Sequence, residues 1–356
     1  MKRAIVLTTV FVLVLSLLCG CTGTTVVVGN CTCPTGGHVN QTPATKPDLG
    51  EGAVKTGLAV FTSVSDSTSA TADKEGAIKY DITIAAVLVD DKGVIVACTI
   101  DSVPATVKID ATGKILTDVS AAVPTKNELG ADYGMVAWGG AIAEWDAQVA
   151  ALCDYAIGKT VQQLKNGAID ESGKAPAGSD LATSATIYLA GYVSAIEAAV
   201  NNAQHLGAQV GDELHLVTIN TLASSTAATA EKSGTAQLDS NISVVTSKDG
   251  VITSCIIDAV QAKINFDVTG AITSDLSAPI QTKNELGEKY GMVAWGGAIA
   301  EWNQQAASFA AYVTGKTAAQ VAGIAVTEGK PADSDLSTSV TIKIGDFQAL
   351  IAKALA

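Results

Sequence analysis

The amino-acid sequence predicts an α+β protein in which one domain, an antiparallel sheet with packed helices, occurs twice in tandem. The first observation is a duplication: residues 133–145 are identical to residues 290–302. The second is that each copy opens with alternating apolar residues, typical of strands, and continues with apolar residues three or four positions apart, typical of helices. We therefore expect one domain at residues 55–203 and another at residues 213–356, each with its own core.

The chain begins with features of an export signal. Two basic residues precede an apolar run that ends at Leu18 and is too short for a comfortable membrane-spanning helix. The sequence Leu-Cys-Gly-Cys that ends at Cys21 resembles a bacterial lipobox, in which a cysteine receives a diacylglycerol. Cys21 fits better than Cys19 because a small residue precedes it. Residues 1–20 are thus predicted to be a lipoprotein signal peptide; the alternative is an ordinary secreted protein with stray cysteines.

Residues 21–54 are predicted to be a lipidated, disordered tether, because a stretch rich in Thr, Gly and Pro cannot bury a core. Cys31, Cys33 and His38 lie in this stretch. A structural zinc site needs about four ligands, so a disulfide or free thiols are favoured over a metal site.

The chain is strongly acidic, with a formal net charge of −13. This charge argues against nucleic acid or an anionic membrane face as a partner. No segment after Cys21 is long and apolar enough to span a membrane, so we expect the remainder of the chain to be soluble.

Strands come first in each copy. The first copy is expected to contain a strand at residues 56–64, a hairpin formed by residues 78–89 and 94–103, and a second hairpin within residues 106–117. The second copy repeats this order from Leu214 onward.

Helices follow the strands. Apolar residues recur at helical spacing at Ile142, Trp145, Val149, Leu152 and Ala156, and again at Ile299, Trp302, Ala306, Phe309 and Val313. Shorter helices are expected at residues 160–166 and 317–324. Strand-like residues 187–189 and 340–344 then precede a final helix in each copy.

Several common chemistries are excluded by the residues present. The histidines are His38 in the tether and His205 and His215 near the junction of the copies, so neither copy holds a Ser-His-Asp or Cys-His arrangement of its own. No glycine-rich dinucleotide motif and no P-loop occurs. Cys98 and Cys255 occupy matching places and are favoured as small core residues over a redox pair.

Two matching segments carry the candidate site. They read Asp180-Leu181-Ala182-Thr183-Ser184-Ala185-Thr186 and Asp335-Leu336-Ser337-Thr338-Ser339-Val340-Thr341. Small residues around the final hydroxyl would keep it reachable, and a helix begins shortly afterwards, where backbone amides favour an anion. The alternative is that residues 183–186 and 338–341 are ordinary strand residues.

These segments resemble the attachment motif of a family of domains that receive covalent FMN from a flavin transferase. That motif has an acidic residue, two spacers, Ser or Thr, a small residue, Ala, and a final Thr or Ser. The resemblance implies that the hydroxyls of Thr186 and Thr341 form phosphoesters with FMN, so that the chain carries two flavins. It assigns the remainder of each site to Asp180, Thr183 and Ser184 and to Asp335, Thr338 and Ser339. Val340 stands where Ala is usual, which makes Thr341 the less regular position.

Each copy also contains Thr-Lys-Asn-Glu-Leu-Gly, Tyr-Gly-Met, Glu-Trp and Gly-Lys-Thr before the motif. This wider pattern resembles the flavinylated surface lipoproteins of Gram-positive flavin-based extracellular electron transfer. The resemblance implies an electron carrier rather than an enzyme, lipid-anchored on the extracytoplasmic face of the cell membrane. Its donor would be a membrane quinone or NADH oxidoreductase, and its acceptors would be external; reductase activity through the bound flavin stays open. The alternative is a flavin-free surface binding or adhesion lipoprotein.

The tryptophans Trp138, Trp145, Trp295 and Trp302 all lie in the identical blocks. They are candidates either to line the flavin ring or to anchor the core.

Replacing Cys21 with Ala tests the lipid anchor. We expect the Cys21→Ala chain to stay unprocessed and unacylated, because the thiol is the atom that would receive the lipid. Metabolic labelling with a fatty acid measures this, with Cys19→Ala as the matched control that keeps its label. Label on the Cys21→Ala chain would show that the anchor lies elsewhere.

Overall fold

Two long β-hairpins dominate the part of the chain that the computed structural model describes, residues 49–356. The strands are β1 (Lys55–Ser63), β2 (Gly76–Val89), β3 (Ile95–Ile109), β4 (Glu213–Thr221), β5 (Gly234–Lys248), β6 (Val251–Phe266), β7 (Val326–Thr327) and β8 (Lys330–Pro331). The first three form one antiparallel sheet in the order β1-β2-β3, and the next three form a second in the order β4-β5-β6. The last two pair with each other. The prediction of antiparallel sheets is confirmed.

The predicted signal peptide (1–20), Cys21 and nearly all of the predicted tether (21–54) lie outside the described residues. Those parts of the sequence analysis therefore stay predictions.

The hairpin turn between β2 and β3 follows from one aspartate. Asp90 Oδ1 accepts hydrogen bonds from the backbone N–H groups of Lys92 and Val94 over 2.8 and 2.7 Å. Gly93 has a φ of 80°, a conformation that glycine adopts without steric cost. The second predicted hairpin is present in a short form: β3 continues to Ile109, and the returning chain pairs with it through the Ile109–Ile115 bridge and the backbone hydrogen bond from Leu116 N–H to Lys108 O over 2.9 Å.

Helices follow each sheet. They are α1 (Lys126–Leu129), α2 (Met135–Gly139), α3 (Trp145–Ala156), α4 (Val161–Ala168), α5 (Ala190–Asn201), α6 (Lys283–Leu286), α7 (Trp302–Val313), α8 (Ala318–Ala322), α9 (Ser334–Ser337) and α10 (Gly345–Ala354). Helices α1 and α6 both start with a capping box, in which Thr125 or Thr282 exchanges hydrogen bonds with a glutamate three residues later.

Three sequence predictions about these helical regions are corrected. The strand-like residues 187–189 and 340–344 are not strands. Ile142 and Ile299 lie before α3 and α7 and are more than half exposed, because those helices begin only at Trp145 and Trp302.

The two sheets share one hydrophobic core. It contains Ile82 and Ile84 of β2 together with Ile242 and Val244 of β5, all fully buried. Residues of β2 that point the other way, such as Val87, pack against the helices of the first half.

A separate cluster holds the helices of the second half against the other side of the second sheet. The layers are thus helices, sheet, sheet, helices. Within residues 49–356, no helix is long and apolar enough to cross a membrane.

Excising residues 55–203 and residues 213–356 tests how far each half folds alone. We expect each to unfold at a lower temperature than the intact chain, because separation exposes its side of the shared core, and each fully buried large apolar side chain contributes about 1.5–3 kcal/mol. Circular dichroism during thermal unfolding measures this. Midpoints equal to that of the intact chain would mean that the halves do not depend on each other.

Candidate functional site

The predicted attachment segment of the first half forms a tight turn rather than a strand. Leu181–Thr183 is a single 3₁₀ turn, in which Thr183 Oγ1 donates a hydrogen bond to Asp180 O over 2.7 Å. Ser184 Oγ donates to the carbonyl oxygen of Leu181 over 3.3 Å. Leu181 and Ala185 are buried and pin the turn to the helical cluster.

The second half has the same arrangement. Helix α9 takes the place of the turn, and Thr338 and Ser339 donate to backbone oxygens three residues earlier over 2.9 and 3.3 Å. Val340 is fully buried, as is Ala185 in the first half. The alternative interpretation, that these are ordinary strand residues, is therefore wrong. The hydroxyls of the fourth and fifth motif residues form hydrogen bonds within the turn.

The last threonine of each motif is held differently. Thr186 is exposed, and its backbone N–H donates to Gln148 Oε1 over 2.8 Å, with its own hydroxyl 3.3 Å from the same oxygen. Thr341 is half-buried and makes the same two contacts with Gln305 Oε1, at 2.8 and 3.3 Å. The hydroxyl that the motif singles out is thus positioned by a side chain from another element.

These glutamines are functional candidates that the sequence analysis missed. Gln148 on α3 and Gln305 on α7 are fully buried, and their amide nitrogens donate to Ala143 O and Ala300 O over 2.8 Å. A buried glutamine is costly unless both ends are bonded. The sequence contained one indication of their role: a polar residue occurs at the same place on the apolar face of both predicted helices.

The acidic residues of the motif face water. Asp180 and Asp335 are both exposed and lie at the first turn of the segment, six residues before the threonine. Each contributes its backbone oxygen to the turn, which leaves the carboxylate accessible.

A cavity of about 550 Å³ lies next to the residues that follow Thr186. Ile187 and Tyr188, the next residues along the chain, enter its lining. Aromatic and sulfur-containing side chains complete it, including Tyr133, Met135, Trp145 and Tyr192. Trp145 Nε1 donates to Tyr192 Oη over 2.8 Å, and the two rings meet edge to face with centroids 5.8 Å apart.

A nearly buried lysine also lines this cavity. Lys126 is only 6 % exposed, and its ammonium group lies 5.0 Å from the Trp145 ring centroid and 5.3 Å from that of Tyr133. Asp81 Oδ1 lies 3.8 Å from Lys126 Nζ. A positive charge over aromatic faces is favourable, so the cavity combines planar apolar walls with one cation.

The second half repeats the lysine and its two aromatic neighbours, with different side chains around them. Lys283 Nζ lies 4.9 Å from the ring centroids of both Tyr290 and Trp302. Phe347 replaces Tyr192 and packs against Trp302 with centroids 5.8 Å apart. Lys343 stands where the first half has Tyr188.

The four tryptophans divide into two classes. Trp145 and Trp302 are buried, while Trp138 and Trp295 are 82 % and 84 % exposed. The short segment that carries Trp138 is anchored by Glu144, whose two carboxylate oxygens accept from the backbone N–H groups of Met135 and Val136. Of the candidates to line a flavin ring, Trp145 is thus part of the described cavity.

Cys98 has a neighbour that the sequence did not reveal. The Cys153 thiol beside it, together with burial, raises the pKa of Cys98. Burial alone raises the pKa of Cys255 to about 12, and Ala310 occupies the place of Cys153 there. Within residues 49–356, Cys98, Cys153 and Cys255 form no disulfide, and the raised pKa keeps the thiols of Cys98 and Cys255 protonated at neutral pH, which suits core packing.

This arrangement can present a nucleophilic hydroxyl to solvent beside an aromatic cavity. It provides no general base within hydrogen-bonding distance of Thr186, whose described partner is an amide oxygen. Among residues 49–356, no group of three or more His, Cys, Asp or Glu side chains could hold a metal ion.

Replacing Gln148 with Met tests its positioning role. We expect faster hydrogen exchange at the amides of Thr186 and Ile187 and a loss of about 1 kcal/mol of stability, because Met fills the space without an acceptor. Hydrogen-exchange mass spectrometry measures this. Gln305→Met is the matched control and should affect Thr341 instead; unchanged exchange at Thr186 would contradict the role.

No protein-family model, no curated protein and no solved structure matches the chain. The resemblance to the covalent FMN-binding family therefore stays a prediction that depends on the motif residues. The function has to be argued from the chain's own side chains.

Proposed function

We propose that the chain is a membrane-anchored extracytoplasmic electron carrier, with FMN linked covalently to Thr186 and Thr341. One observation carries the proposal: the exposed Thr186 is held by the buried Gln148, and the next two residues, Ile187 and Tyr188, line an aromatic cavity. The same threonine and glutamine recur in the second half.

The residues of the cavity fit a flavin. A flavin ring is planar and largely apolar, which suits walls made by Tyr133, Trp145 and Tyr192. The volume of about 550 Å³ is within the range of small-molecule sites. Lys126 would offset the negative charge that such a ring gains on reduction.

The linkage itself needs only the threonine hydroxyl and an outside enzyme. A flavin transferase would supply FAD, and the Thr186 oxygen would form a new bond to the FMN phosphorus while the bond to AMP breaks. The hydroxyl proton leaves, and AMP is released. Because Thr186 is exposed and has no base of its own among its described partners, the transferase would supply the proton acceptor.

The bound flavin would supply one- and two-electron transfer, and the chain would position it. We propose two tandem FMN-binding domains behind a cleaved signal peptide, with the lipid on Cys21 and a tether that lets both sites reach partners. Electrons would pass from a membrane quinone or NADH oxidoreductase to external acceptors. We propose an electron carrier and no specific enzymatic activity, although reduction of external compounds through the flavin is compatible with this role.

A second function is favoured by a different observation. Trp138 and Trp295 are exposed together with the neighbouring Val136, Ile142, Val293 and Ile299. Exposed apolar groups of this kind mark interaction surfaces. A flavin-free binding or adhesion lipoprotein would use them, and a yellow colour that survives denaturation would distinguish the carrier from it.

Replacing the motif threonines tests covalent attachment. In protein made with an active flavin transferase, we expect Thr186→Ala to remove one FMN and Thr341→Ala the other, because the phosphoester needs the hydroxyl oxygen. Attachment at Thr341 should be slower, since Thr341 is half-buried and Val340 is larger than Ala185. Mass spectrometry of the denatured chain and of its peptides measures both.

Thr183→Ala and Thr338→Ala are the matched controls: they keep the attachment oxygen and should retain the flavin, with slower modification where loss of the hydroxyl disturbs the turn. An unmodified Thr186 in the parent chain would remove the main support for electron transfer. Flavin found only on Thr186 would keep the function and leave the second half with a structural or non-covalent role.

A further inference from the structure

A second and larger cavity, of about 700 Å³, lies between the two halves. One wall is formed by Leu58 and Val60 of β1 and by residues 201–204 at the end of α5. The other wall is formed by β6, α6 and α7 and includes Asp258 and Glu285. None of these residues belongs to the motif threonine site.

On the opposite side of the paired sheets, the equivalent gap between the halves is bridged by a lysine. We call that side the closed side and the side with the cavity the open side. Lys353 of α10 reaches the first half, where its ammonium group forms an ion pair with Glu128. The same group donates to Thr218 O over 2.7 Å. Beside it, Asn220 Nδ2 donates to Val123 O over 3.1 Å.

The repeat shows what the open side lacks. The matching ring pairs, Trp145 with Tyr192 and Trp302 with Phe347, place α5 and α10 in the same register. Lys353, six residues after Phe347, therefore corresponds to Ala198, six residues after Tyr192. The alanine side chain is too short to span the cavity, and the described lining of the cavity contains no lysine.

Asn220 is also replaced by a different residue in the first half. In the same repeat it corresponds to Thr62 of β1, which is paired to β2 as Asn220 is paired to β5. Thr62 Oγ1 is buried and has no hydrogen-bond partner among the described residues. Both side chains that bridge the closed side are thus replaced by shorter ones on the open side.

The glutamate that would receive the lysine is still present. Glu128 and Glu285 each use Oε2 to accept from the N–H of the threonine three residues earlier, over 2.8 Å. Glu128 gives its other oxygen to Lys353, whereas within residues 49–356 no ion pair is formed by Glu285.

Further unpaired oxygens accompany Glu285. The side-chain oxygens of Asn284 and Asn303, both in the lining, are buried without a partner in the described part of the chain. Burial raises the pKa of the nearby Asp258 to about 6. A primary ammonium group carries three N–H donors and a positive charge, which suits a lining that offers a carboxylate and unpaired amide oxygens.

We propose that this cleft binds a small primary alkylamine, whose ammonium group pairs with Glu285 and whose apolar stem lies along Leu58 and Val60. The ligand supplies the charged head and apolar stem that Lys353 supplies on the other side. The formal net charge of −13 adds a general attraction for cations. The site is independent of the flavin.

The experiment uses the full chain and n-pentylammonium as the probe, with binding measured by calorimetry and thermal shift. We expect saturable binding to the parent chain, no comparable binding of n-pentanol or pentanoate, and at least a tenfold weaker affinity in Glu285→Gln. Gln keeps the acceptor for Thr282 N–H, so the helix cap is preserved. Glu128→Gln is the matched control and should bind as the parent does, because its partner is already Lys353.

Ala198→Lys supplies the missing side chain. We expect this variant to lose pentylammonium binding and to melt at a higher temperature than the parent, because its own ammonium group fills the cleft. Should it fail to fold, Glu285→Gln decides. Absence of saturable binding to the parent, equal binding by pentanol, or unchanged affinity in Glu285→Gln would each overturn the proposal.

Discussion

The back-to-back packing of the two three-stranded sheets is the constraint on which the rest of the structure depends. Each long strand must be apolar on both faces, since Ile82 and Ile84 meet the other sheet while Val87 meets the helices. Polar side chains buried within the strands are short and hydrogen-bonded, such as Thr56 with Ser254 over 2.7 Å, whereas the longer polar side chains of the candidate site lie in the outer helical layer. The motif threonines and the lysine-lined cavity lie in that layer, away from the shared core.

In the outer layer, Gln148 and Glu144 position neighbouring segments and are hydrogen-bonded through both of their side-chain polar atoms. Gln148 joins Ala143 O to the Thr186 segment, and Glu144 holds the segment that carries Trp138 with both carboxylate oxygens. Such bonds are strong where water is excluded and costly to leave unmade. The turn at Leu181 thus gains a fixed relation to α3, although it contains little regular structure of its own.

The sequence predicts the strands and main helices well because their signals are local. Alternation in β2 and helical spacing in α3 can be read from neighbouring residues. The strand prediction for residues 340–344 is wrong because Val340 and Ile344 are buried at irregular positions set by contacts with α7 and α10, a tertiary effect. The motif threonines could be singled out by resemblance, whereas Gln148 and Lys126 become site residues only once distant elements meet. The shared core was not predicted from the sequence for the same reason. Apolar residues on both faces of a strand do not show whether a helix or another sheet packs against each face.

Comparison of the two halves shows which residues around the motif threonines are the same and which differ. The threonine, the buried glutamine, the lysine and the buried tryptophan are kept in both halves, and their contacts agree within 0.1 Å for every bond from threonine to glutamine. Two of the residues that differ lie two and five positions after the threonine, where Tyr188 becomes Lys343 and Gly191 becomes Asp346. Charges so close to a bound redox group alter its potential, because they stabilise one charge state over the other. Two groups attached by the same chemistry would therefore sit in different electrostatic surroundings, and a chain with two unlike centres can pass an electron in a preferred direction.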